Sequence, residues 1–505
     1  MKNAFHRTIF ASAVSLALAP AANADITAQE LRDFMVGYYG DQGIEISIGT
    51  EEMSGGMLSL SDTTISIPVP DTDGVVVMKV PPIGLRETSD GAVLVEIPPI
   101  SEYEITSTVA GETQLSTTLV QEIEDITTRF SGSIDNMRIE SSATSSSYRI
   151  AEVKVAGQSI PVNFVVNTGE YGVDYTLSLA EDDRRGFSGE YSMASLGILA
   201  NARDPQGEGF FSLVMNAADM AAAFSGAVKT TEDPIELLAA GIDIAVDVTT
   251  GPADIDFEFQ DGESQMSLHA TEETSRFGFT LSPQEIAYDV GATGVEMDFS
   301  SSDIPLPKIS LSYETAESSL RVPLAKSADP SPFSLRTVLR GLSVSEVLWS
   351  MVDPTQAIPR DPATVALDVS GTAMVTADLM DPETLAQIDS MERPPILPLT
   401  VEINEITAEF GGAALSGGGS FAYDLENPAI VNGLPVPAGE VNLSLSGGFG
   451  LIDKLGQIGL IPPEAVIGIR GFVGALSRPV GEDQLETTIE VTPEGAVLAN
   501  GVRIR

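Results

Sequence analysis

The residues that can do chemistry are limited in kind in this chain of 505 residues. It contains no cysteine, a single tryptophan and two histidines, against 73 aspartates and glutamates. Without cysteine there is no thiolate nucleophile, no thiolate metal site and no disulfide framework. Chemistry by carboxylates is therefore what the composition offers most freely, and histidine chemistry depends on one or two positions.

His269 is the histidine to weigh, because His6 lies in the first 24 residues, which carry a targeting pattern. A Ser-His-Asp triad needs only one histidine, but the chain has no G-x-S-x-G nucleophile elbow. His269 also occupies a polar position in the alternating stretch Met266–Ala270. The pattern predicts a surface histidine, and a zinc site with one histidine and no cysteine is disfavoured.

The carboxylates suggest two further sites, and the sequence favours neither. Glycoside hydrolysis needs two carboxyl groups facing each other across a sugar, usually beside aromatic platforms, yet aromatic residues make up only 6% of the chain. The run Asp71–Gly74 begins like an EF-hand loop, but position twelve of that loop is Pro82, not glutamate. We predict a turn at Asp71–Gly74, and assign no catalytic, cofactor-binding or metal-binding residue and no cofactor.

The charge balance excludes a whole class of partners. Lys and Arg total 26 against the 73 acidic residues, which gives a formal net charge of -47 at pH 7. Nucleic-acid affinity comes chiefly from basic side chains that neutralise phosphates. We therefore expect no nucleic-acid partner.

The first residues carry the pattern of a secretory signal peptide. Basic Lys2 and Arg7 precede the apolar run Ile9–Ala19, and small residues follow at Ala22-Asn23-Ala24. Cleavage after Ala24 would leave Asp25 as the mature N-terminus. The run is shorter than the roughly 20 residues that span a bilayer, and no later stretch has transmembrane length. The prediction is an exported, periplasmic protein without a transmembrane span in its mature chain.

One helix is clear at the start of the mature chain. Thr27 and Glu30 have the spacing of a capping box, with Ile26 and Leu31 at the hydrophobic-staple positions. Gly40 is expected to end this helix. Two further helical regions are predicted, around Val344–Met351 and over Leu451–Leu460.

Beyond the first helix, apolar and polar residues alternate with a period of two. Thr64–Val69 and Val75–Val80 flank the turn at Asp71–Gly74, and Ile255, Phe257 and Phe259 alternate with acidic residues. The same alternation recurs in 163–178, 278–281, 309–313, 366–375, 400–410 and 440–446. Strands with one solvated face usually belong to antiparallel sheets. The predicted fold is mainly β, with long, antiparallel, curled meander sheets, an N-terminal helix and two or three helices in the C-terminal third.

The predicted domain organisation follows the composition. Residues 1–24 form the signal peptide, 25–322 an N-terminal β-rich region, 323–332 a linker or loop rich in Pro and Ser, and 333–505 a C-terminal β-rich region with short helices. Trp349 is interpreted as a packing anchor among aliphatic neighbours. The glycine run Ser416–Ser420 is interpreted as a bulge or turn.

The C-terminal third resembles a known family. The run Ile358-Pro359-Arg360-Asp361-Pro362 through Gly371, together with Leu348-Trp349 and Asp353-Pro354, is similar to the alphaproteobacterial exported family called domain of unknown function 2125, as is the closing segment Ile489–Arg505. The resemblance implies a periplasmic protein but no catalytic residues. Members of that family often begin with a retained anchor helix, from which the Ala22–Ala24 cleavage site departs. The alternating strands also resemble in style the AsmA-like envelope proteins, whose curled sheets offer apolar grooves to lipids.

These observations lead to a ranked set of functional hypotheses. The first is a non-enzymatic envelope protein whose curled sheet binds a lipid or another amphiphile in a groove. The second is a structural or protein-interaction module of the cell envelope, in which the core is simply filled. A carboxylate-dependent hydrolase ranks third. Alternation predicts the same pattern for a filled core and for an open groove, so sequence leaves the first two open.

Overall fold

The protein is described by a computed structural model over residues 26–40, 42–70, 72–179, 184–204, 207, 209–229, 241–306, 308–391, 393–427, 430–431 and 434–505. Its fold is mainly β with antiparallel strand pairing, which confirms the predicted class. The residues of the predicted signal cleavage, Ala22, Ala24 and Asp25, lie outside the described residues, as does Asp71 of the predicted turn.

The chain divides into two compact units. The described part of the first comprises residues 26–229 and 246–269, and that of the second 241–245 and 270–505. The stretch 323–332, predicted to be a linker or loop, lies inside the second unit. There, residues 324–330 connect two strands that pair with each other, so they form a hairpin loop.

The first unit begins with one helix and continues with strands. The helix is α1 (Ala28–Gly40). The strands that follow are β1 (Glu45–Ser54), β2 (Met57–Val69), β3 (Gly74–Val80), β4 (Ile83–Glu87), β5 (Val93–Glu96), β6 (Ile100–Val109), β7 (Glu112–Glu124), β8 (Thr127–Ser133), β9 (Asn136–Ala143), β10 (Ser145–Val155), β11 (Gln158–Ile160), β12 (Val162–Thr168), β13 (Tyr171–Leu179), β14 (Arg184–Arg203) and β15 (Phe210–Lys229). Three more strands lie in residues 243–272: β16 (Asp243–Thr250), β17 (Ala253–Asp261) and β18 (Ser264–Glu272).

Helix α1 forms as its capping box predicts. The backbone N–H of Thr27 donates to Oε2 of Glu30 at 2.9 Å, and the N–H of Glu30 donates to Oγ1 of Thr27 at 3.2 Å. These hydrogen bonds hold the pKa of the Glu30 carboxyl below its ordinary value, first through the Thr27 hydroxyl and then through the Thr27 backbone N–H. The N–H of Ala28 also donates to Glu87 of β4 at 3.0 Å, so the start of the helix is attached to the sheet.

Helix α1 closes a packed core. Its Leu31 is fully buried, and Ile26 just before the helix is 3% exposed. Among the described residues, the contiguous cluster of buried apolar side chains lies here, and it also contains Ala28, Leu58, Leu60, Leu85, Val93, Phe130, Met137 and Ile139. The first unit is therefore stabilised by a helix packed on one apolar sheet face, a two-layer arrangement.

In its described residues, the second unit is a long meander with four short helices. Its strands are β19 (Thr274–Leu281), β20 (Glu285–Ser301), β21 (Ile309–Pro323), β22 (Ser331–Val344), β23 (Ala363–Val375), β24 (Ile396–Phe410), β25 (Ala413–Tyr423), β26 (Ile430–Val431), β27 (Leu434–Pro435), β28 (Pro437–Ser446), β29 (Arg478–Gly481), β30 (Gln484–Val491), β31 (Val497–Ala499) and β32 (Val502–Arg503). Its helices are α2 (Glu346–Val352), α3 (Pro382–Gln387), α4 (Gly448–Gln457) and α5 (Pro463–Leu476), and a 3-10 turn covers Ile388–Ser390.

Two features of this unit differ from the sequence-based expectation. The run Ser416–Ser420 is not a turn, because it lies in the middle of β25. The register against β24 shifts by one residue between Ile403 and Ile406, so the bulge lies in the neighbouring strand. Helix α5 lies beyond the predicted helical region Leu451–Leu460, and the described C-terminal third has four helices instead of the two or three predicted. Pro463 occupies the first turn of α5, where the missing N–H costs nothing.

Candidate functional site

The second unit carries a continuous apolar face across nine strands. Antiparallel registers align one residue from each strand into lateral rows on this face. One row reads Phe277, Val290, Ser318, Thr337, Leu367, Ile406, Gly417, Leu443, Thr487. The next reads Phe279, Tyr288, Leu320, Leu335, Val369, Ile403, Gly419, Val441, Ile489. No position in these two rows has a charged side chain, and we call these two rows the apolar face.

The opposite face of the same strands is charged. Arg336 of β22 lies 2.8 Å from Asp368 of β23 and 3.5 Å from Glu317 of β21. Arg340 and Glu405 extend this ladder, with a distance of 2.7 Å between Nη2 and Oε1. The pKa of the Glu405 carboxyl is held below its ordinary value, first by the hydrogen bond from Arg340. The strict period of two therefore separates an ion-paired side, which also holds the buried Val338 and Ala366, from an apolar side.

The apolar face is incompletely covered. Phe277 is 48% exposed, Val290 43% and Leu335 37%, and most other members of the two rows are half-buried rather than buried. Large apolar side chains of a filled core are normally close-packed and nearly inaccessible. Among the described residues, nothing covers this apolar surface completely.

Different side chains pack at the two ends of this face. At one end of β23, Ala373 and Val375 continue the same alternation and are fully buried. At the other end, the indole of Trp349 in α2 stacks on Phe410 of β24, with 5.8 Å between ring centroids and 15° between planes. Trp349 is thus a packing anchor, as the sequence indicated.

A buried aspartate fixes the position of Trp349. Asp353 is fully buried and accepts hydrogen bonds from the N–H of Ile358 at 2.8 Å and of Ala357 at 3.0 Å. Its Oδ2 lies 2.9 Å from Nη1 of Arg360, whose guanidinium lies over the Trp349 ring at 4.4 Å from the centroid. Burial disfavours the charged form of Asp353, but these hydrogen bonds outweigh burial and hold the pKa of the carboxyl well below its ordinary value.

Glycine is required where the apolar face crosses β25. A Cβ at Gly419 would stand 2.2 Å from the carbonyl oxygen of Glu440, and one at Gly417 would stand 2.6 Å from that of Asn442. Neither contact is sterically possible, so the backbones of β25 and β28 approach each other only because side chains are missing here. The run that suggested a turn serves close strand packing beneath the apolar face.

A second candidate site is a depression in the first unit, and its lining includes charged residues. It has a volume of about 830 Å³, and its polar lining includes Arg129, Glu140, Asp174, Glu190 and Asp247. Its acidic groups are partly paired, since Asp174 accepts from Arg138 at 2.7 and 3.1 Å. The middle of the depression is lined by small residues, Gly172 and Ala221–Ala223. A cluster of carboxylates does not by itself define a ligand, so the apolar face is the stronger candidate.

The residues weighed from the sequence for histidine and metal chemistry lie apart from both sites. His269 is an exposed residue of β18, with Nδ1 2.7 Å from Oδ1 of Asp256, as expected for a surface histidine. Asp73 and Gly74 form the predicted turn between β2 and β3. Among the described residues, no group of three His, Asp or Glu side chains is arranged to hold a metal ion.

Sequence reasoning did not identify the members of the apolar face as a site. Each strand shows its own alternation, but which residues share a row depends on register between strands far apart in sequence. In the sequence, the only indication of this face was a series of alternating strands whose apolar positions carry no charge. None of the helices in the described residues has the length and apolar character needed to cross a bilayer.

Comparisons with known proteins add no relative. No protein-family model matches the chain, no curated protein matches it, and no solved structure matches it. The resemblance of Ile358–Gly371 to domain of unknown function 2125 stays a prediction that depends on the motifs quoted above.

Proposed function

We propose that this is a non-enzymatic protein of the periplasm that binds a lipid or another amphiphile on the apolar face of its second unit. The observation that carries the proposal is the combination of two uncharged rows across nine strands with half-exposed large side chains. Export rests on the sequence around Ala22–Asp25 and belongs to the same proposal.

The dimensions of the apolar face suit an acyl chain. Neighbouring strands lie about 4.8 Å apart, so nine strands cover about 38 Å. One leaflet of a bilayer has a hydrocarbon depth of about 15 Å, so a complete acyl chain fits along one row with room to spare.

The chemistry of the face suits an acyl chain as well. Each buried methylene contributes about 0.8 kcal/mol, without any directional contact. The rows offer few hydrogen-bonding groups, such as the hydroxyls of Thr337 and Tyr288, so apolar contact would supply most of the affinity. The charged groups of an amphiphile would remain at the edge of the face, in water, because a buried unpaired charge is costly.

Binding of a fluorescent fatty acid tests this proposal. We expect the purified protein to bind it, and Leu335→Glu to weaken binding by about tenfold or more, because the carboxylate would lie in the acyl path. The matched control is Ser334→Glu, on the same strand but on the charged face beside Arg321 and Ser370. It should change the affinity by less than about twofold.

Native mass spectrometry after gentle extraction gives an independent readout. A lipid that remains bound to the wild type and is lost from Leu335→Glu would support the proposal. Absence of fatty-acid binding together with ligand-free protein would overturn it. A protein found on this face in place of lipid would favour the alternative of an interaction module.

A further inference from the structure

The apolar face changes from exposed to buried along a single strand. On β23, where every second side chain lies on this face, Val365 is 55% exposed, Leu367 is 36% exposed and Val369 is half-buried. Further along the same strand, Ala373 and Val375 are fully buried. The apolar face is therefore open where β23 begins and closed where β23 ends.

Two neighbouring loops are hydrogen-bonded at the closed end. The backbone N–H of Ser327, in the connection from β21 to β22, donates to the carbonyl oxygen of Val375 at 3.1 Å. The N–H of Leu379, in the segment after β23, donates to the carbonyl oxygen of Leu324 at 3.0 Å. The two loops are thus joined to each other and to the end of the strand. An apolar ligand would find Ala373 and Val375 already covered.

The open end combines apolar and polar groups. Trp349 stacks there on Phe410, which is 43% exposed, and the guanidinium of Arg360 lies over the indole. The Nε of Arg360 is 3.5 Å from Oε2 of Glu346, an exposed residue. Among the described residues, nothing accepts a hydrogen bond from the indole N–H of Trp349. A tryptophan suits a place where one side is apolar and the other is wet, so this end can hold a hydrated headgroup.

The direction across the strands has no closed end. None of the residues in the two rows of the apolar face is buried, from Phe277 and Phe279 on β19 to Thr487 and Ile489 on β30. An amphiphile has one polar end and one apolar end. The strand direction offers it one open, polar end and one closed, apolar end, whereas the direction of the rows does not.

We propose that an acyl ligand lies along the strands of the apolar face, with its headgroup beside Trp349 and its tail ending against Ala373. This inference rests on the function proposed above and adds the orientation of the ligand. From Val365 to Gly371, β23 covers about 20 Å, at about 3.3 Å per residue. This is more than the hydrocarbon depth of about 15 Å of one leaflet, so a complete acyl chain fits before the closed end. The headgroup remains in water at the open end, because burial without a partner would be costly.

Quenching by brominated fatty acids tests this orientation in the wild-type protein. Trp349 is the single tryptophan of the chain, and a bromine atom quenches indole fluorescence only in its immediate vicinity. At saturation, a fatty acid brominated near its carboxyl group should quench Trp349 several-fold more strongly than one brominated near its methyl end. Displacement of the fluorescent fatty acid shows that both ligands are bound. Leu335→Glu should remove the quenching, because Leu335 pairs with Val369 in the path of the tail.

Moving the tryptophan toward the closed end provides the matched control. Phe333 lies on the apolar face opposite Gly371, and its ring would be 2.7 Å from a Cβ at that glycine. In the double variant Trp349→Phe, Phe333→Trp, the order should reverse, so that the fatty acid brominated near its methyl end quenches more strongly. Circular dichroism checks that this variant is folded. The wild-type measurement does not depend on it.

The outcomes separate the orientation from the proposed function. Stronger quenching by bromine near the carboxyl group in the wild type, with the reverse order in the double variant, supports the orientation. Bound fatty acids that quench equally, or more strongly from the methyl end in the wild type, would overturn the orientation and leave the function standing. Absence of fatty-acid binding would overturn the function itself. Quenching that persists in Leu335→Glu would place the ligand away from the apolar face and overturn both proposals.

Discussion

The two units have the same alternation of apolar and polar residues in their strands, but they differ in what covers the apolar side. In the first unit, α1 lies on the apolar side of the sheet, and Leu31 is fully buried together with Leu85, Val93 and Met137. In the described residues of the second unit, no such helix lies on the rows that contain Leu335 and Leu367, and these side chains remain more than one third exposed. The difference between the units is therefore what covers the apolar face, since the strand pattern is the same.

This difference has an energetic meaning. A buried leucine contributes both its transfer from water and its close packing, whereas a half-exposed one contributes only part of the first. The other face of the second unit is packed more closely, because Val338 and Ala366 are buried there. Beside them, ion pairs form a ladder of Arg336, Glu317, Asp368, Glu405 and Arg340. An apolar face that contributes little to folding remains available for binding.

Truncating one leucine in each unit gives the largest expected effect. Leu85→Ala should lower the free energy of unfolding of the first unit by about 2–5 kcal/mol, because it leaves a cavity in a packed core. Leu335→Ala should cost about 1 kcal/mol or less, because its side chain is already partly in water. Urea unfolding measures both changes. Circular dichroism follows the whole chain, and fluorescence of the single tryptophan, Trp349, follows the second unit.

The proposed difference between the units is wrong if Leu85→Ala and Leu335→Ala lower the free energy of unfolding by the same amount. An equal loss would mean that Leu335 is packed as tightly as Leu85, and that the apolar face is a filled core. A second first-unit variant, Leu31→Ala, guards against a local peculiarity at Leu85. Leu31→Ala should also lower the free energy of unfolding of the first unit by about 2–5 kcal/mol. The unfolding transition that Trp349 fluorescence reports should not change.

Opening the cap of α1 should have an intermediate effect. Thr27→Ala removes the hydroxyl that accepts from the Glu30 N–H and donates to the Glu30 carboxylate, and should cost about 1 kcal/mol. Thr27→Ser keeps the hydroxyl and serves as the control, with a loss well below that of Thr27→Ala. If the helix closes the core, the loss appears in the unfolding of the first unit and leaves the Trp349 transition unchanged.

The same cap should give the stability a pH dependence of known sign. The pKa of Glu30 is lowered in the folded protein, first by the Thr27 hydroxyl. A lowered pKa adds stability above the unfolded value of about 4.3, and this contribution is lost as the pH falls through the folded value. The deficit of Thr27→Ala should therefore be larger at about pH 7 than at about pH 3. A deficit that does not change with pH would show that the carboxylate takes no part.

The elements of both units could be predicted from local pattern, and the cover of each face could not. Thr27 and Glu30 indicated where α1 begins, and the alternation of Ile255, Phe257 and Phe259 indicated a strand with one solvated side. Whether Leu85 or Leu335 would be buried depends on what packs against each strand from elsewhere in the chain. A period of two contains no information about that.

Glycine and proline were the residues whose roles the sequence left ambiguous. Gly417 and Gly419 are common turn residues, and only the approach of β28 shows why they lie inside a strand. Pro463 both follows one helix and begins the next, since proline suits the first turn. The local preference was known in each case, but the neighbouring element decided between two allowed outcomes.

The smallest expected effect concerns the ion-pair ladder of the second unit. Arg336 lies 2.8 Å from Asp368, 3.5 Å from Glu317 and 3.8 Å from Glu405. Partly exposed pairs contribute little singly, but one guanidinium shared by three carboxylates should contribute more than an isolated pair. We expect Arg336→Gln to cost about 1 kcal/mol in low salt, measured by the Trp349 transition in urea.

An isolated pair in the first unit provides the control for this last prediction. Arg149 lies 3.7 Å from Glu122, and both side chains are about half exposed, so Arg149→Gln should cost close to nothing. Raising the salt to about 1 M shortens the screening length to about 3 Å and should shrink the cost of Arg336→Gln. Equal costs for both substitutions in low salt would assign the effect to the net charge of -47, which either change makes more negative. A larger loss of stability for Arg336→Gln than for Arg149→Gln would assign the effect to the ion-pair ladder on the charged face of the second unit.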